Sequence, residues 1–233
     1  MLTRSKDRKV ANSVTKSGNP NIANSFGLPA GKAYSCPDQT EFCGKICYAG
    51  KLEKIYKGVR NNLTANFDAL KDAEYIEQYV LLDSMITAFE LECEKKNADK
   101  EFRIHWDGDF FSDSYTRAWS SVIASHSNVQ FWVYTRVLAS AMVLNMANHP
   151  NLGLYFSADE NNMGFAKVAK SKGINIAFVG KTFAEGKEHF PKATKCPENN
   201  KALPLISEKG SACHVCGLCI NGRKDVLFSV SKK

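Results

Sequence analysis

Four cysteines toward the C-terminal end of the sequence have the spacing of an iron-sulfur site. Cys196 stands alone before Pro197, and Cys213, Cys216 and Cys219 follow at three-residue intervals. Three thiolates spaced in this way wrap around one compact polynuclear centre, and a distant fourth thiolate closes it. Zinc is the competing metal, although its sites more usually combine two separated CxxC pairs. We therefore predict a four-iron four-sulfur (4Fe-4S) cluster on these four cysteines.

A second set of cysteines, Cys36, Cys43 and Cys47, lies within twelve residues near the other end. Three thiolates leave one metal position open, and an open position can bind a substrate or a cofactor, as in catalytic zinc sites. This set therefore favours chemistry, whereas a four-cysteine site favours electron transfer or structure. Two alternatives remain: a zinc ion with a fourth ligand from elsewhere, or a contribution to the same centre as the C-terminal set. One or two clusters are thus expected.

Polar residues follow four apolar runs that have the composition of strands. In parallel α/β sheets, ligands bind at the carboxyl ends of the strands. We expect Asp107, Asp109, Arg136, Ser157 and Asp159 to gather there and to bind a cofactor or a small-molecule substrate. The alternative is a structural salt-bridge network. Alternation along the first run also predicts that Arg103, His105 and Asp107 share one unusually polar face.

The elements that position these residues alternate between strand and helix. Strands are predicted at 102–110, 129–134, 152–157 and 174–180, with an early strand at 26–28 and a late one at 226–230. Helices are expected at 112–125, 138–148 and 160–172, with Ser112 as an N-cap. A longer helical region at 63–96, broken near Asp72, buries a stripe of Leu82, Ile86, Phe89 and Cys93. These elements predict an α/β protein with parallel strands in a partial or irregular (β/α) TIM-like barrel, plus cysteine-rich metal-binding loops.

Composition predicts one soluble domain. Residues 1–25 read as an irregular basic arm, and residues 26–233 as a single barrel-like domain with cysteine clusters at 36–47 and 196–219. The formal net charge is +7, but the cations are spread along the chain, and the densest group, Arg4 to Lys9, lies in the arm. Nucleic-acid binding is therefore only weakly indicated. No apolar run is long enough for a membrane span, and free cysteines suit a reducing compartment, so we expect a cytoplasmic protein.

Several motifs together resemble the phage gene-product-88 family. They are Ser25-Phe-Gly-Leu-Pro-Ala-Gly31, Cys36-Pro37, Cys47-Tyr-Ala49, Arg103-Ile-His105 with Gly108-Asp-Phe110, Phe131-Trp-Val-Tyr-Thr-Arg136, and the Cys213 to Cys219 run. The likeness spans most of the chain. It implies a phage-encoded protein in the host cytoplasm and supports the shared cysteine sets, but names no reaction.

A looser similarity is to radical S-adenosylmethionine enzymes, which place a three-cysteine cluster after the first strand of a partial barrel. Many of them carry an auxiliary cluster near the C-terminus. In that family a motif that ends the second strand holds the methionine amino group, and Trp106-Asp-Gly-Asp109 lies in the comparable place. The usual spacing there is CxxxCxxC, whereas six and then three residues separate the cysteines of this chain.

Two hypotheses follow for the function. The first is an iron-sulfur protein with redox chemistry, which in its sharper form cleaves S-adenosylmethionine, takes electrons from an electron donor and acts on an unidentified small molecule. The second is a zinc-stapled module that binds nucleic acid or a host protein through its basic surface.

Overall fold

In a computed structural model, which describes residues 1–7, 9–10 and 22–231, a sheet of seven parallel strands forms the centre of the molecule. The strands are β1 (Ser25–Gly27), β2 (Glu101–Asp107), β3 (Gln130–Thr135), β4 (Leu152–Ala158), β5 (Asn175–Gly180), β6 (Thr194–Lys195) and β9 (Val226–Ser229). Their order in the sheet is β1-β2-β3-β4-β5-β9-β6. A separate antiparallel hairpin joins β7 (Ile206–Ser207) and β8 (Gly210–Ser211).

The main helices pack on one face of this sheet, which we call the helix face. They are α3 (Lys57–Leu70), α4 (Tyr75–Lys96), α5 (Asp113–Ser125), α6 (Leu138–Ala147), α7 (Met163–Ser171) and α8 (Phe183–His189). From β2 to β5 each strand pairs with the next strand in the sequence. The connections between parallel strands are right-handed, and when every strand is added at the same edge of the sheet, right-handed connections put all the connecting helices on the same face. Trp119, Phe102 and Phe156 are among the fully buried side chains there.

The opposite face, which we call the cysteine face, is formed by the alternate residues of the strands. They are Arg103, Trp132, Tyr134, Tyr155, Ala177, Val226 and Phe228. Ile220 packs on Trp132, and Cys196 and Cys219 pack against Tyr155 and its neighbours. The segment between the two ends of the C-terminal cysteine set therefore covers the face that the helices leave open.

The first residues of the chain run beside the edge strand β1 and then reach the cysteine face. Ser5 and Ser25 form an antiparallel bridge, with N···O distances of 2.7 and 3.1 Å. Leu2 is buried in the core of the helix face, whereas Val10 is buried on the cysteine face, where Asp7 pairs with Arg103. The described part of the predicted basic arm is therefore irregular in backbone but packed. Residues 8 and 11–21 lie outside the described residues.

The prediction of an α/β protein with parallel strands is confirmed. All six predicted strands occur, each within three residues of its predicted ends, and Ser112 caps α5 by accepting a hydrogen bond from Tyr115 N. The buried stripe of α4 that ends at Cys93 is also confirmed. Within the described residues β1 and β6 are the edges of an open sheet, so no closed barrel is formed. No described helix combines the length and the apolar character needed to cross a membrane.

His105 is the point at which β2 departs from the predicted alternation. Its φ is +57°, and the register with β1 shifts there, since Ser25 pairs with Arg103 but Gly27 with Asp107. The ring consequently packs on the helix face beside Trp119, with Nε2 2.8 Å from Tyr115 Oη. Burial lowers the pKa of His105 to about 3, so the ring is neutral. The prediction that His105 shares a polar face with Arg103 is therefore wrong.

Gly153 permits the closest approach between the sheet and the C-terminal cysteine segment. A Cβ at this position would lie 2.3 Å from the Cys219 carbonyl oxygen and 2.8 Å from that of Ile220. Both contacts are backbone atoms, which cannot rotate away as a side chain would. We expect Gly153→Ala to lower the free energy of unfolding by about 1 to 3 kcal/mol, as overpacking does, when measured by urea denaturation.

Gly164→Ala is the matched control for this substitution. Gly164 lies in α7, and nothing stands within 4 Å of its ideal Cβ position. Replacing an exposed helical glycine by alanine stabilises a protein by up to about 1 kcal/mol. If both variants changed the stability equally, the close approach at Gly153 would not constrain the fold.

Candidate metal centres

Side chains from three neighbouring strands hold the loop that carries Cys219. Gln130 Nε2 donates to the Ile220 carbonyl at 2.7 Å, Tyr155 Oη donates to the Leu218 carbonyl at 3.1 Å, and Asn175 Nδ2 donates to the Gly222 carbonyl at 2.8 Å. These donors come from β3, β4 and β5, one from each strand. The sheet thus fixes the backbone on both sides of Cys219.

The other three cysteines of the C-terminal set are positioned by the short helix α9 and by strand β6. The short helix α9 (Ala212–Cys216) carries Cys213 and Cys216 and ends at Gly217, whose φ of +63° turns the chain back toward Cys219. Cys213 N donates to the Lys9 carbonyl at 3.0 Å, so the first residues of the chain anchor this helix. Cys196 directly follows β6, and its N–H donates to the Leu227 carbonyl at 2.9 Å.

Cys219 is the member of this set that lies in electrostatic range of the other three. Burial raises the pKa of Cys219 to about 12, and the charges of Cys196 and Cys216 add to that rise. Burial also raises the pKa of Cys213 well above its usual range, with a contribution from Cys219. The four thiols therefore gather on the cysteine face. Because burial disfavours the thiolates of Cys196, Cys213 and Cys219, these three groups stay protonated unless a cation takes the place of the protons.

The N-terminal cysteine set lies over the carboxyl edge of the sheet. Two short helices carry it, α1 (Glu41–Ile46) and α2 (Tyr48–Ile55), and Thr40 caps the first by accepting from Cys43 N at 3.0 Å. Thr40 Oγ1 also donates to Asp159 Oδ2 at 2.6 Å, and Phe42 N donates to Asn161 Oδ1 at 2.9 Å. The loop after β4 thus holds the helix that carries Cys43.

Each thiol of the N-terminal set faces a charged residue of the sheet edge. Burial raises the pKa of Cys36 to about 12, and the carboxylate of Asp109 adds to this rise. Burial also raises the pKa of Cys43, whereas the Arg136 guanidinium beside it has the opposite effect. Cys47 has its pKa raised by burial and accepts a hydrogen bond from Gly50 N at 3.3 Å. The thiol of Cys43 lies close enough to Cys36, and that of Cys47 close enough to Cys43, for a charge on one to raise the pKa of the other.

Arg136 links two of the predicted carboxylates at this edge. Its backbone N–H donates to Asp109 Oδ2 at 2.8 Å, and its guanidinium donates to Asp159 Oδ2 at 2.6 Å. Thr135 Oγ1 donates to Asp109 Oδ1 at 2.6 Å. All these residues are buried. Three of the predicted site residues, Asp109, Arg136 and Asp159, therefore form one hydrogen-bonded network under the N-terminal cysteines.

Asp107 stands apart from that network and faces Glu53 of α2. Its Oδ1 accepts from Gly108 N at 2.8 Å, but its buried Oδ2 has no hydrogen-bond partner among the described residues. Burial, and then the charge of Glu53, raise the pKa of Asp107 to about 8. Glu53 Oε1 accepts from Ala30 N at 2.9 Å, which fixes its position. Glu53 is a site residue that the sequence analysis missed, because no strand end points to it.

Ser157 is the predicted site residue that contributes least. It is half-buried, and its backbone carbonyl accepts from Asn162 Nδ2 at 3.1 Å. Asn162 Oδ1 in turn accepts from Asp159 N at 2.8 Å. Ser157 therefore supports the loop that carries Asp159 through its backbone.

The cysteines are all free thiols, seven of them half-buried and Cys93 buried in the core. In the described parts of the chain, no three His, Cys, Asp or Glu side chains converge closely enough to hold a single metal ion. In a four-iron cluster each thiolate binds a different iron, so the thiols stand further apart than the ligands of one ion.

Asp159→Ala tests the network that holds Cys43. The change leaves the buried guanidinium of Arg136 without its partner and removes the acceptor of Thr40. Breaking a buried ion pair on one side costs about 3 to 5 kcal/mol, and we expect that loss in urea denaturation. Asp68→Ala, which breaks the exposed pair with Lys71, is the control and should leave the midpoint nearly unchanged. Equal effects of the two changes would show that the network is not structural.

The buried carboxyl groups predict a pH dependence of stability. The pKa of Asp109 is raised to about 6 and that of Asp107 to about 8, chiefly by burial. These two groups hold more protons in the folded chain than in the unfolded chain from about pH 4 to pH 8, whereas the buried, neutral His105 holds fewer below about pH 6.5. The free energy of unfolding should therefore fall most clearly as the pH rises from about 6.5 to about 8. Asp107→Asn should flatten the fall above pH 6, measured by urea denaturation at each pH. A slope that stays the same would contradict a buried, protonated Asp107.

The whole chain is similar to phage proteins. The model of the family described as "Gene product 88" matches residues 1–222. The "Gene 88 protein" of Mycobacterium phage L5 is 55% identical over 236 residues, which cover 100% of this chain and 99% of the relative. The "Gene 88 protein" of Mycobacterium phage D29 is 56% identical over 237 residues, with the same coverage. No solved structure matches. The chain thus belongs to the bacteriophage gene-product-88 family.

Proposed function

We propose that this protein is an iron-sulfur protein with redox chemistry at the carboxyl edge of its sheet. A 4Fe-4S cluster would be held by Cys196, Cys213, Cys216 and Cys219, and a second cluster by Cys36, Cys43 and Cys47. The observation that carries the proposal is the gathering of the four C-terminal thiols around Cys219, although sixteen residues lie between Cys196 and Cys213 in the sequence.

The donor set of the C-terminal site suits a cluster. Four thiols meet on an apolar and aromatic surface, where Tyr134 and Cys219 pack together and Trp132 is buried. An apolar shell that limits solvent access is one of the means by which proteins set the potential of a metal centre. Two cationic side chains, Arg103 and Lys9, lie in electrostatic range of Cys213 and would offset the negative charge of the thiolates.

The N-terminal set suits a centre with one open position. Three thiols stand over the sheet edge, and the polar side chains beside them come from three different strands. In the sharper form of the proposal, Cys36, Cys43 and Cys47 would hold a cluster that binds S-adenosylmethionine. This group would supply the chemistry of reductive cleavage, with the electron coming from an external donor through the C-terminal cluster. Arg136 and Asp159 would then orient the cofactor or substrate, and the Asp107–Glu53 pair would receive a cationic group. We also propose that the open sheet curves as a partial barrel around this site.

A zinc-stapled binding module is the competing function. Its support is the way in which the C-terminal cysteines fasten a loop of little regular structure across the cysteine face, a role that structural zinc performs in many small folds. In that case the metal would supply folding free energy only. Zinc thiolates do not absorb visible light, whereas iron-sulfur clusters are coloured, so a spectrum separates the two functions.

Metal analysis of protein purified without oxygen tests the proposal. We expect about eight irons and eight sulfides per chain, as two four-iron clusters require, together with broad visible absorption. About four of each would reduce the proposal to one cluster. Zinc without colour would overturn it in favour of the binding module.

Single substitutions assign the clusters to their ligands. Cys216→Ser should remove about four irons, together with much of the stability, because the binding free energy of a metal site is folding free energy. Cys43→Ser should remove the other four. Cys93→Ala is the control, since Cys93 is buried in α4 with its Sγ 3.7 Å from the Asp99 carbonyl oxygen. It should lower stability without changing the metal content.

The cofactor is tested separately with the reduced, iron-loaded protein. Incubation with S-adenosylmethionine should yield methionine and 5′-deoxyadenosine, which chromatography separates. Asp159→Asn should lower the rate more than Asp68→Asn, since Asp68 lies in an exposed pair on α3. A loaded protein that neither binds nor cleaves the cofactor would restrict the function to electron transfer.

A further inference from the structure

Two cations of the densest basic group in the sequence are paired with carboxylates in the fold. Arg4 and Lys9, which belong to the densest basic group in the sequence, form ion pairs with Glu92 and Glu198 at 2.8 and 2.7 Å. The carboxylate of Asp7 between them pairs with Arg103. Arg4 and Lys9 are therefore compensated within the fold, and we ask which other surface presents unpaired cations.

That surface lies on α2 and the start of α3. Lys51, Lys54, Lys57 and Arg60 are exposed, and in the part of the chain that the structure describes none of them forms an ion pair. Within each helix the two cations are three residues apart and so point to the same side. We call this surface, together with Ile55 at the end of α2 and Tyr56 at the start of α3, the α2–α3 basic face.

The acidic residue of this stretch turns away from the basic face. Glu53 is the sole carboxylate from residue 45 to residue 62, and it points inward to Ala30 N and Asp107. The outward side of the two helices therefore carries cations without a compensating anion. Such a surface raises the local concentration of anionic partners and attracts phosphates most strongly at low salt.

Apolar and backbone groups of the same face add a second feature. Tyr56 is 56% exposed and Ile55 is 68% exposed, although isoleucine is among the residue types that are most often buried. Tyr56 is the N-cap of α3 and makes no side-chain cap hydrogen bond, and space is open above Gly58 in the first turn. An exposed aromatic ring among cations is the combination with which proteins stack bases and hold the backbone of single strands.

We propose that the α2–α3 basic face binds single-stranded nucleic acid, with Lys51, Lys54, Lys57 and Arg60 on the phosphates and Tyr56 stacked on a base. The inference depends on charge and exposure, and it holds whichever metal the cysteines bind. Since α2 carries Cys47 at its N-cap and Glu53 on its inner side, a bound strand would lie beside the carboxyl edge of the sheet.

Fluorescence anisotropy with a labelled 20-nucleotide oligothymidine, titrated with the full-length protein as purified at 50 to 200 mM KCl, tests this proposal. Four phosphate contacts predict that log K falls with log salt at a slope of about −3, since each contact on a single strand contributes about −0.7. Lys54→Glu/Lys57→Glu should weaken binding at least tenfold and roughly halve the slope. Tyr56→Ala should weaken it about tenfold with an unchanged slope, because stacking involves no charge.

Lys167→Glu/Lys172→Glu is the matched control, since both lysines are exposed on or beside α7 and the change in net charge is the same. We expect this variant to bind as the unmodified protein does. Equal losses in the two double variants, or binding that does not depend on salt, would overturn the proposal. So would binding to phosphatidylserine vesicles or polyglutamate that depends on Lys54 and Lys57 while the oligonucleotide does not bind, because the face would then serve a membrane or an acidic protein.

Discussion

The handedness of the connections between neighbouring parallel strands constrains the rest of this structure. A right-handed crossover fixes the side of the sheet on which the connecting helix packs, and from β2 to β5 every crossover advances in the same direction. The long helices therefore accumulate on one face and leave the other to be buried by short elements and loops. Trp132, Tyr155 and Val226 on that other face are nevertheless buried, and the C-terminal cysteine segment is the main part of the chain that covers them.

The same constraint explains why the two cysteine sets differ in their surroundings. The C-terminal set lies against the middle of a sheet face, where aromatic side chains surround it. The N-terminal set lies at the carboxyl edge, where strands end in polar loops and where the Arg136 network supplies charges. An enclosed apolar site suits a centre that only exchanges electrons, whereas an edge lined by polar side chains suits a centre that meets a ligand.

Features that depend on local pattern could be predicted from the sequence, and features that depend on distant contacts could not. Strands buried on both faces appear as short apolar runs, and Ser112 has the side chain and position of an N-cap. The gathering of Asp109, Arg136 and Asp159 follows from the rule that parallel strands end at one edge.

The missed features have no local signal. The positive φ of His105 reverses the direction of its ring, yet nothing in the alternating sequence marks that break. Strand β6 is only two residues long, and the pairing of Arg4 with Glu92 joins residues 88 positions apart. The sequence therefore could not show that Arg4 and Lys9 of the basic arm are compensated in the fold. For the same reason Glu53, which is fixed by Ala30 and faces Asp107, was not recognised as part of the site.

The hydrogen bond from Cys213 N to the Lys9 carbonyl has a consequence for the synthesis of the chain. Cys213 follows Lys9 by 204 positions, so at about 5 to 20 residues per second the ribosome needs roughly 10 to 40 s to deliver the second after the first. During that interval strands β1 to β5 can pair and recruit their helices, but Trp132 and Tyr155 still face water. A nascent chain in this state exposes an aromatic surface until the C-terminal cysteine segment has been synthesised. A metal that held this segment in place would therefore also protect the new chain from aggregation.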